Sequence, residues 1–270
     1  MTDSTTTHAA SYSAGCLSKD LPTEQDRLRM QEEVLDPHTV RLLDRLPVRS
    51  SWRCLEIGAG AGSVAYRLAE RCRSGSVLAV DVDTRFLDED RAPNLSVAEA
   101  DITTAEYPAA SFDLVHARMV LCHLARRDEV LAAAARWLAP GGWLVVEEPY
   151  FFSAETSPYG PVRRLFTGVE RKLAQHGADM RWARKLPGLM ARLLGTVPVV
   201  DTAPGPFGGE PGTVNHELSR VNVLQVGPLL VRDGTLAEAE LEEVLEMFTT
   251  PGFLDIMSVN LGVCAEKPGD

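Results

Sequence analysis

Residues 55–70 read LEIGAGAGSVAYRLAE, and the fold turns on this stretch. An apolar run stops at three alternating glycines, Gly58, Gly60 and Gly62. It resumes with Val64, Ala65, Leu68, Ala69 and Cys72 at the spacing of one buried helix face. The pattern predicts a strand, a tight loop and a helix. A turn alone seldom uses three glycines, because each costs conformational entropy. The loop therefore points to a backbone that must come close to something bound.

Working outward, WRCLEIG (52–58), SVLAVD (76–81), LSVAEAD (95–101), SFDLVHA (111–117) and WLVVEE (143–148) read as five strands, mostly apolar with few alternating polar positions. A helix from about 128 to 138 carries Val130, Leu131, Ala134, Ala135 and Leu138 on one side and stops at Pro140-Gly141-Gly142. Strands separated by helices or crossovers, and apolar on both faces, imply a parallel sheet covered on both sides. Upstream, Thr23 with Asp26 forms a capping box, and Asp36 precedes Pro37 at a first helical position, so two helix starts are expected. Residues 21–50 are thus an N-terminal helical cap, residues 1–20 a flexible polar tail, and 51–149 the core.

From Tyr150 the pattern changes. Residues 158–194 read as two helices within a lid insertion over 150–195. The strand TVPVVDT (196–202), a Gly/Pro-rich break PGPFGGEPG (204–212) and a last strand DIMSVNLGVCAEK (255–267) make 196–270 the end of the core sheet, with a helical insertion over 205–252. In that insertion Thr235 and Glu238 read as a capping box. The expected class is α/β, a doubly wound, seven-stranded, mainly parallel sheet with helical cap and lid.

The formal charge of −11 argues against nucleic acid as a partner. No apolar run reaches the roughly 18 to 20 residues of a membrane span, and the first fifteen residues lack signal-peptide blocks, so a cytoplasmic protein without membrane contact is expected. Cys16, Cys54, Cys72, Cys122 and Cys264 form no C-x-x-C pair and no cluster with metal spacing. Cys54, Cys72 and Cys264 occupy apolar positions and read as core.

Two ligands compete for the glycine loop. A dinucleotide site needs G-x-G-x-x-G, yet here the spacing is G-x-G-x-G and Ser63 stands where the third fingerprint glycine belongs. Asp81, ending the next strand, suits the ribose of either a dinucleotide or S-adenosylmethionine. For the latter, small glycines let the backbone approach the methionine tail, and Glu56 can order its ammonium end.

LEIGAGAG, VLAVDVD, EADI, FDLVHARMVL and LAPGGWLVV stand in the order and spacing of the five motifs of class I S-adenosylmethionine-dependent methyltransferases. Over roughly residues 20–195 the chain resembles the small-molecule members of that family from actinobacterial biosynthetic pathways. The resemblance implies a Rossmann-like methyltransferase fold and S-adenosylmethionine as cofactor. It also implies that Gly58, Ala59 and Gly60 meet the methionine part, that Asp81 with Val82 holds the ribose, and that Asp101 with Ile102 meets the adenine. His116, Ala117 and Arg118 would line the sulfonium side.

Methyl transfer asks the protein for alignment, desolvation and, for an acceptor of high pKa, a base. His123 after the fourth strand and Glu147 or Glu148 at the carboxyl end of the fifth should face one crevice, and His123 with Glu148 is the expected catalytic pair. Metal is not expected, because Pro149, Tyr150 and Phe151 replace oxygen ligands after the fifth strand. Between Pro161 and Arg192 eight basic side chains face two acidic ones, a local +6 that would suit an acidic acceptor. Tyr150, Phe151, Phe152, Phe166 and Trp182 would suit an aromatic one. A small-molecule acceptor is the expectation, and a homodimer stays open. A cyclisation, elimination or decarboxylation on the same cofactor stays open, and an NAD-dependent oxidoreductase is disfavoured by the absent glycine.

Overall fold

The computed structural model describes residues 18–269, so the tail expected at 1–20 lies outside the described residues up to position 17. Helix α1 (Glu24–Asp44) leads into β1 (Arg53–Ile57), α2 (Ser63–Arg71), β2 (Ser76–Asp81), β3 (Leu95–Glu99) and β4 (Phe112–Arg118). There follow α3 (Arg127–Trp137), β5 (Leu138–Phe151), α4 (Gly160–Gln175), α5 (Leu186–Leu194), β6 (Val199–Gly208), α6 (Val214–Arg232), α7 (Glu238–Met247) and β7 (Leu254–Glu266). The strands form one sheet in the order β3-β2-β1-β4-β5-β7-β6. Only β7 runs antiparallel to its neighbours. Strand order reverses between β1 and β4, which is where such a sheet opens a crevice at its carboxyl edge.

Alternation along the strands sends side chains to two covered faces. Leu55, Ile57, Val115, Leu144 and Val146 pack with residues of α3 and α5. Cys54, Cys72, Leu114, Val145 and Cys264 pack instead with Leu42 and Leu43 of α1 and Val64 and Leu68 of α2. A third cluster joins Val162 and Leu165 of α4 to Val223 and Leu230 of α6, Val244 of α7, and Phe207, Phe253 and Met257 beside the sheet. This helical layer shares a cavity with the loop after β1.

Three local expectations are corrected. The two helix starts before residue 40 merge into one α1 with Pro37 inside it and no side-chain cap from Thr23. Proline removes one ladder hydrogen bond there, and burial of Leu35, His38, Thr39, Leu42 and Leu43 holds the helix together across the gap. The break expected at 204 begins later, because β6 continues to Gly208 and pairs Pro204 with Val259 and Pro206 with Ile256. β6 is an edge strand, where a missing N–H can face away from the partner. The cap expected at Thr235 forms two residues on, where the Ala237 N–H donates to Glu240 at 2.8 Å.

Among the described residues no helix is long and apolar enough to cross a membrane, and no group of three or more His, Cys, Asp or Glu side chains is placed to hold a metal ion.

β7 meets α1 closely at Gly262, where a Cβ would come within 2.2 Å of Leu42 Cδ1 and 3.0 Å of His38 Cε1. Both side chains are buried and cannot swing into solvent. Gly262→Ala is expected to cost about 1–3 kcal/mol, measured as a lower urea midpoint at unchanged m-value.

Candidate functional site

The loop after β1 has a backbone that glycine takes easily. Gly58, Gly60 and Gly62 have φ of 68°, 62° and 103°, in the left-handed region where a Cβ is strained. The N–H groups of Gly58 and Ala59 donate to Val80 O at 2.8 and 3.1 Å, folding the loop onto the end of β2. There the Asp81 carboxylate accepts from Gly60 N–H at 2.8 Å and from Asp83 N–H at 3.0 Å. A Cβ on Gly60 would meet nothing within 4 Å. At this point the backbone borders open space.

That space is a cavity of about 350 Å³. In one half it is lined by Glu56, Gly58, Ala59, Gly60, Asp81, Val82, Ile102 and Arg118. Lys19, just before α1, also reaches in. Its ammonium lies 3.2 Å from Asp81 Oδ1, donates to Gly60 O at 3.3 Å and to Asp83 O, and sits 5.5 Å over the Phe86 ring. Sequence reading placed Lys19 in the tail. A lone lysine among polar residues carries no periodicity to mark it.

Glu56 lies on the α1 face of the sheet because it alternates with Leu55 and Ile57. In register it pairs with His116, while Arg118 pairs with Glu147. The result is a buried line of ionisable groups: Glu56 Oε2 to His116 Nδ1 at 2.7 Å, His116 Nε2 to Glu147 Oε1 at 3.0 Å, and Glu147 Oε2 to His38 Nδ1 at 3.1 Å. Burial opposes the charge on His116, but Glu56 and Glu147 outweigh it and raise its pKa to about 9. Burial likewise opposes the charge on Glu147, yet hydrogen bonds from His116 and His38 hold its carboxyl far below the usual range. Glu56 is raised by burial more than His116 lowers it. Of this line only Glu56 lines the cavity. His116 and Ala117, expected at the sulfonium side, are buried beneath it.

Arg118 is the one residue of that trio at the cavity wall. It donates to Asp36 at 2.9 Å and Thr39 at 2.8 Å on α1, and to Ser63 Oγ at 3.0 Å at the start of α2. The chain then turns at Met119, whose φ of 58° is unusual for a side chain with a Cβ. Glu148 holds the turn. Its carboxylate accepts from the N–H groups of Val120, Leu121 and Cys122 at 3.1, 2.7 and 3.2 Å. Burial pushes its pKa up to about 6 against these bonds. Glu148 is fully buried and does not line the cavity, so it has no access to an acceptor. His123, one turn on, does line it. Asp101 points elsewhere as well, with one oxygen taking the N–H and hydroxyl of Thr103 at 2.9 and 2.6 Å.

This half of the cavity brings together two carboxylates, Glu56 and Asp81, the backbone of the glycine loop, and the apolar side chains of Val82 and Ile102. The second half is bordered by Phe151, Leu165, Phe166, Phe207, Val223 and Met257. None of the eight basic lid residues lines it. Arg164 pairs with Glu240 and Glu243, Lys172 with Asp233, and Arg181 with Glu170, all on the outer surface.

Residues 55–146 match the methyltransferase domain family. Methyltransferase str3 of Strobilurus tenacellus is 38% identical over 144 residues, which are 51% of this chain and 50% of that protein. The 27-O-demethylrifamycin SV methyltransferase of Amycolatopsis mediterranei is 34% identical over 142 residues, 48% and 51% of the two chains. The chain thus matches about half the length of these curated relatives. Among solved structures, Haemonchus contortus phosphoethanolamine N-methyltransferase 2, in complex with phosphomonomethylethanolamine and S-adenosylhomocysteine, superposes with a TM-score of 0.63 at 14% identity, over 99% of this chain and 61% of that one. At that identity the likeness is one of fold.

The buried line sets a pH dependence. A histidine whose folded pKa is raised binds a proton that the unfolded chain releases near 6.5, so its contribution is complete below that pH and is lost as pH rises through about 9. Across this window the unfolding free energy is expected to fall by up to about 1.4 kcal/mol per pH unit. Urea titrations of His116→Gln should show a flatter profile over the same range.

Proposed function

We propose that this chain, whose residues 55–146 match the methyltransferase domain family, transfers a methyl group from S-adenosylmethionine to an oxygen or nitrogen of a small molecule in specialised metabolism. The observation that carries this reading is one continuous cavity: a half lined by the glycine loop, Glu56 and Asp81 opens into a largely apolar half beneath α4 and α6. The similarity to a methyltransferase of 27-O-demethylrifamycin SV supports the acceptor class.

When bound, S-adenosylmethionine supplies a methyl made electrophilic by its sulfonium. The chain supplies the rest. Glu56, oriented by His116, takes the ammonium end, the backbone of Gly58 and Gly60 admits the methionine part, Asp81 accepts from the ribose hydroxyls, and Val82 and Ile102 flank the adenine. Arg118 braces α1 against α2 at the cavity wall. The apolar walls of the second half exclude water and hold the acceptor in line. His123 is the base for an acceptor proton, while Glu148 positions the turn that carries His123.

Calorimetry with S-adenosylhomocysteine tests the cofactor half, and absence of binding refutes the reading. Asp81→Asn is expected to weaken binding at least about tenfold, or 1.4 kcal/mol. Lys19→Met is expected to tighten it a few-fold, because ammonium and ribose compete for one carboxylate oxygen. Mass spectrometry of the product distinguishes methylation, which adds one methyl, from a cyclisation, elimination or decarboxylation on the same cofactor.

His123→Ala is expected to lower kcat by about 10²–10⁴-fold and to remove the acidic limb of the pH-rate profile. Glu148→Gln should keep that limb and instead lower the urea midpoint, as a buried turn loses part of its acceptor. A pH-rate profile unchanged in both variants refutes base catalysis.

A further inference from the structure

The second half of the cavity says more about its occupant than its size does. Its walls combine apolar side chains with neutral polar ones, Asn215, Ser219, Asn222, Ser258 and Asn260, and every charged side chain at the cavity is already committed. Lys19 pairs with Asp81, Arg27 with Glu24, Arg118 with Asp36 and Glu56 with His116, and Glu32 accepts the Ser63 N–H at 3.0 Å. An anionic acceptor would find no cation free of its own carboxylate, and would lose its hydration on entry. The positive charge of the lid sequence lies on the outer faces of its helices.

Among these neutral groups Asn260 is the most deeply placed on the sheet. It lies on β7 opposite Pro149 of β5, on the same face as Gly262 and two strands from the turn at Met119. Its side chain is only 8% exposed and lines the cavity. Its carboxamide forms no hydrogen bond with another described residue and is left open to the cavity that it lines. Ser258 and Asn222 line the same region. A carboxamide offers two donors and a carbonyl acceptor without charge, which matches a hydroxyl, phenol or carbonyl.

We propose that the acceptor is a neutral, largely apolar molecule whose hydroxyl, phenol or carbonyl is held by the Asn260 carboxamide at the β5–β7 end of the cavity. Asn260 is then a specificity-determining residue, choosing neutral hydrogen-bonding acceptors over anions of the same shape. The proposal rests on the methyl-transfer reading only in naming the occupant an acceptor; the chemistry of the pocket stands by itself.

The test uses three probes with one apolar body: 1-naphthol, 1-naphthoate and 1-naphthyl phosphate. Their binding to the full chain is measured by calorimetry with and without saturating S-adenosylhomocysteine. The expected result is that 1-naphthol binds at least about tenfold more tightly than either anion, and that Asn260→Leu weakens 1-naphthol about tenfold with S-adenosylhomocysteine affinity intact. Asn260→Ala serves if the leucine variant does not fold. Equal or tighter binding of an anion, or no binding of 1-naphthol at millimolar concentration, overturns the neutral class. Unchanged 1-naphthol affinity in the variant overturns the role of Asn260. Failure of S-adenosylhomocysteine to bind while the 1-naphthol preference persists refutes the methyltransferase reading and leaves the pocket chemistry standing.

Discussion

A histidine clamped between two buried carboxylates is the constraint on which the site depends. Taking Glu56, His116 and Glu147 out of water costs several kcal/mol per charge, and only mutual pairing at close range offsets it. The pairing demands that β1, β4 and β5 keep their register, since a one-residue slip would send one member to the opposite face. It also draws in α1 through His38. The same contacts therefore align three strands, seat the N-terminal helix and fix the carboxylate that faces the cavity.

Around that line the site uses one device twice. Asp81 ends β2 and Glu148 lies near the end of β5, and each carboxylate gathers N–H groups of a neighbouring loop. Asp81 keeps an edge on the cavity, whereas Glu148 is consumed by the strained turn after β4. Both are acids at the carboxyl end of an apolar strand. Their different fates depend on which loop crosses above them.

The glycine loop, the five strands to β5 and the Asp81 end of β2 were legible in the sequence because they are local: periodicity, a glycine spacing, an acid closing an apolar run. Asp101, His116 and Ala117 adjoin the cavity-lining residues Ala100, Ile102 and Arg118 in sequence, but the pleat and local turns decide which side chains meet the cavity. Asp101 closes on Thr103, and His116 and Ala117 are buried in the sheet's two faces. The lid shows the same limit. Its net charge could be counted from residues, yet α4 turns Arg164 and Lys172 outward and presents Leu165 and Phe166 to the cavity.

By itself the sequence determined most element types, the parallel core and the glycine loop after β1, because each follows from interactions among residues close along the chain. Tertiary structure alone decided what joins them. Lys19 reaches Asp81 across 62 positions, Asn260 faces the cavity from the far end of the chain, and Glu56 and Glu147 meet through His116. These contacts depend on strand register and on the docking of α1, α4 and α6, and register is set by burial of whole faces rather than by any short motif.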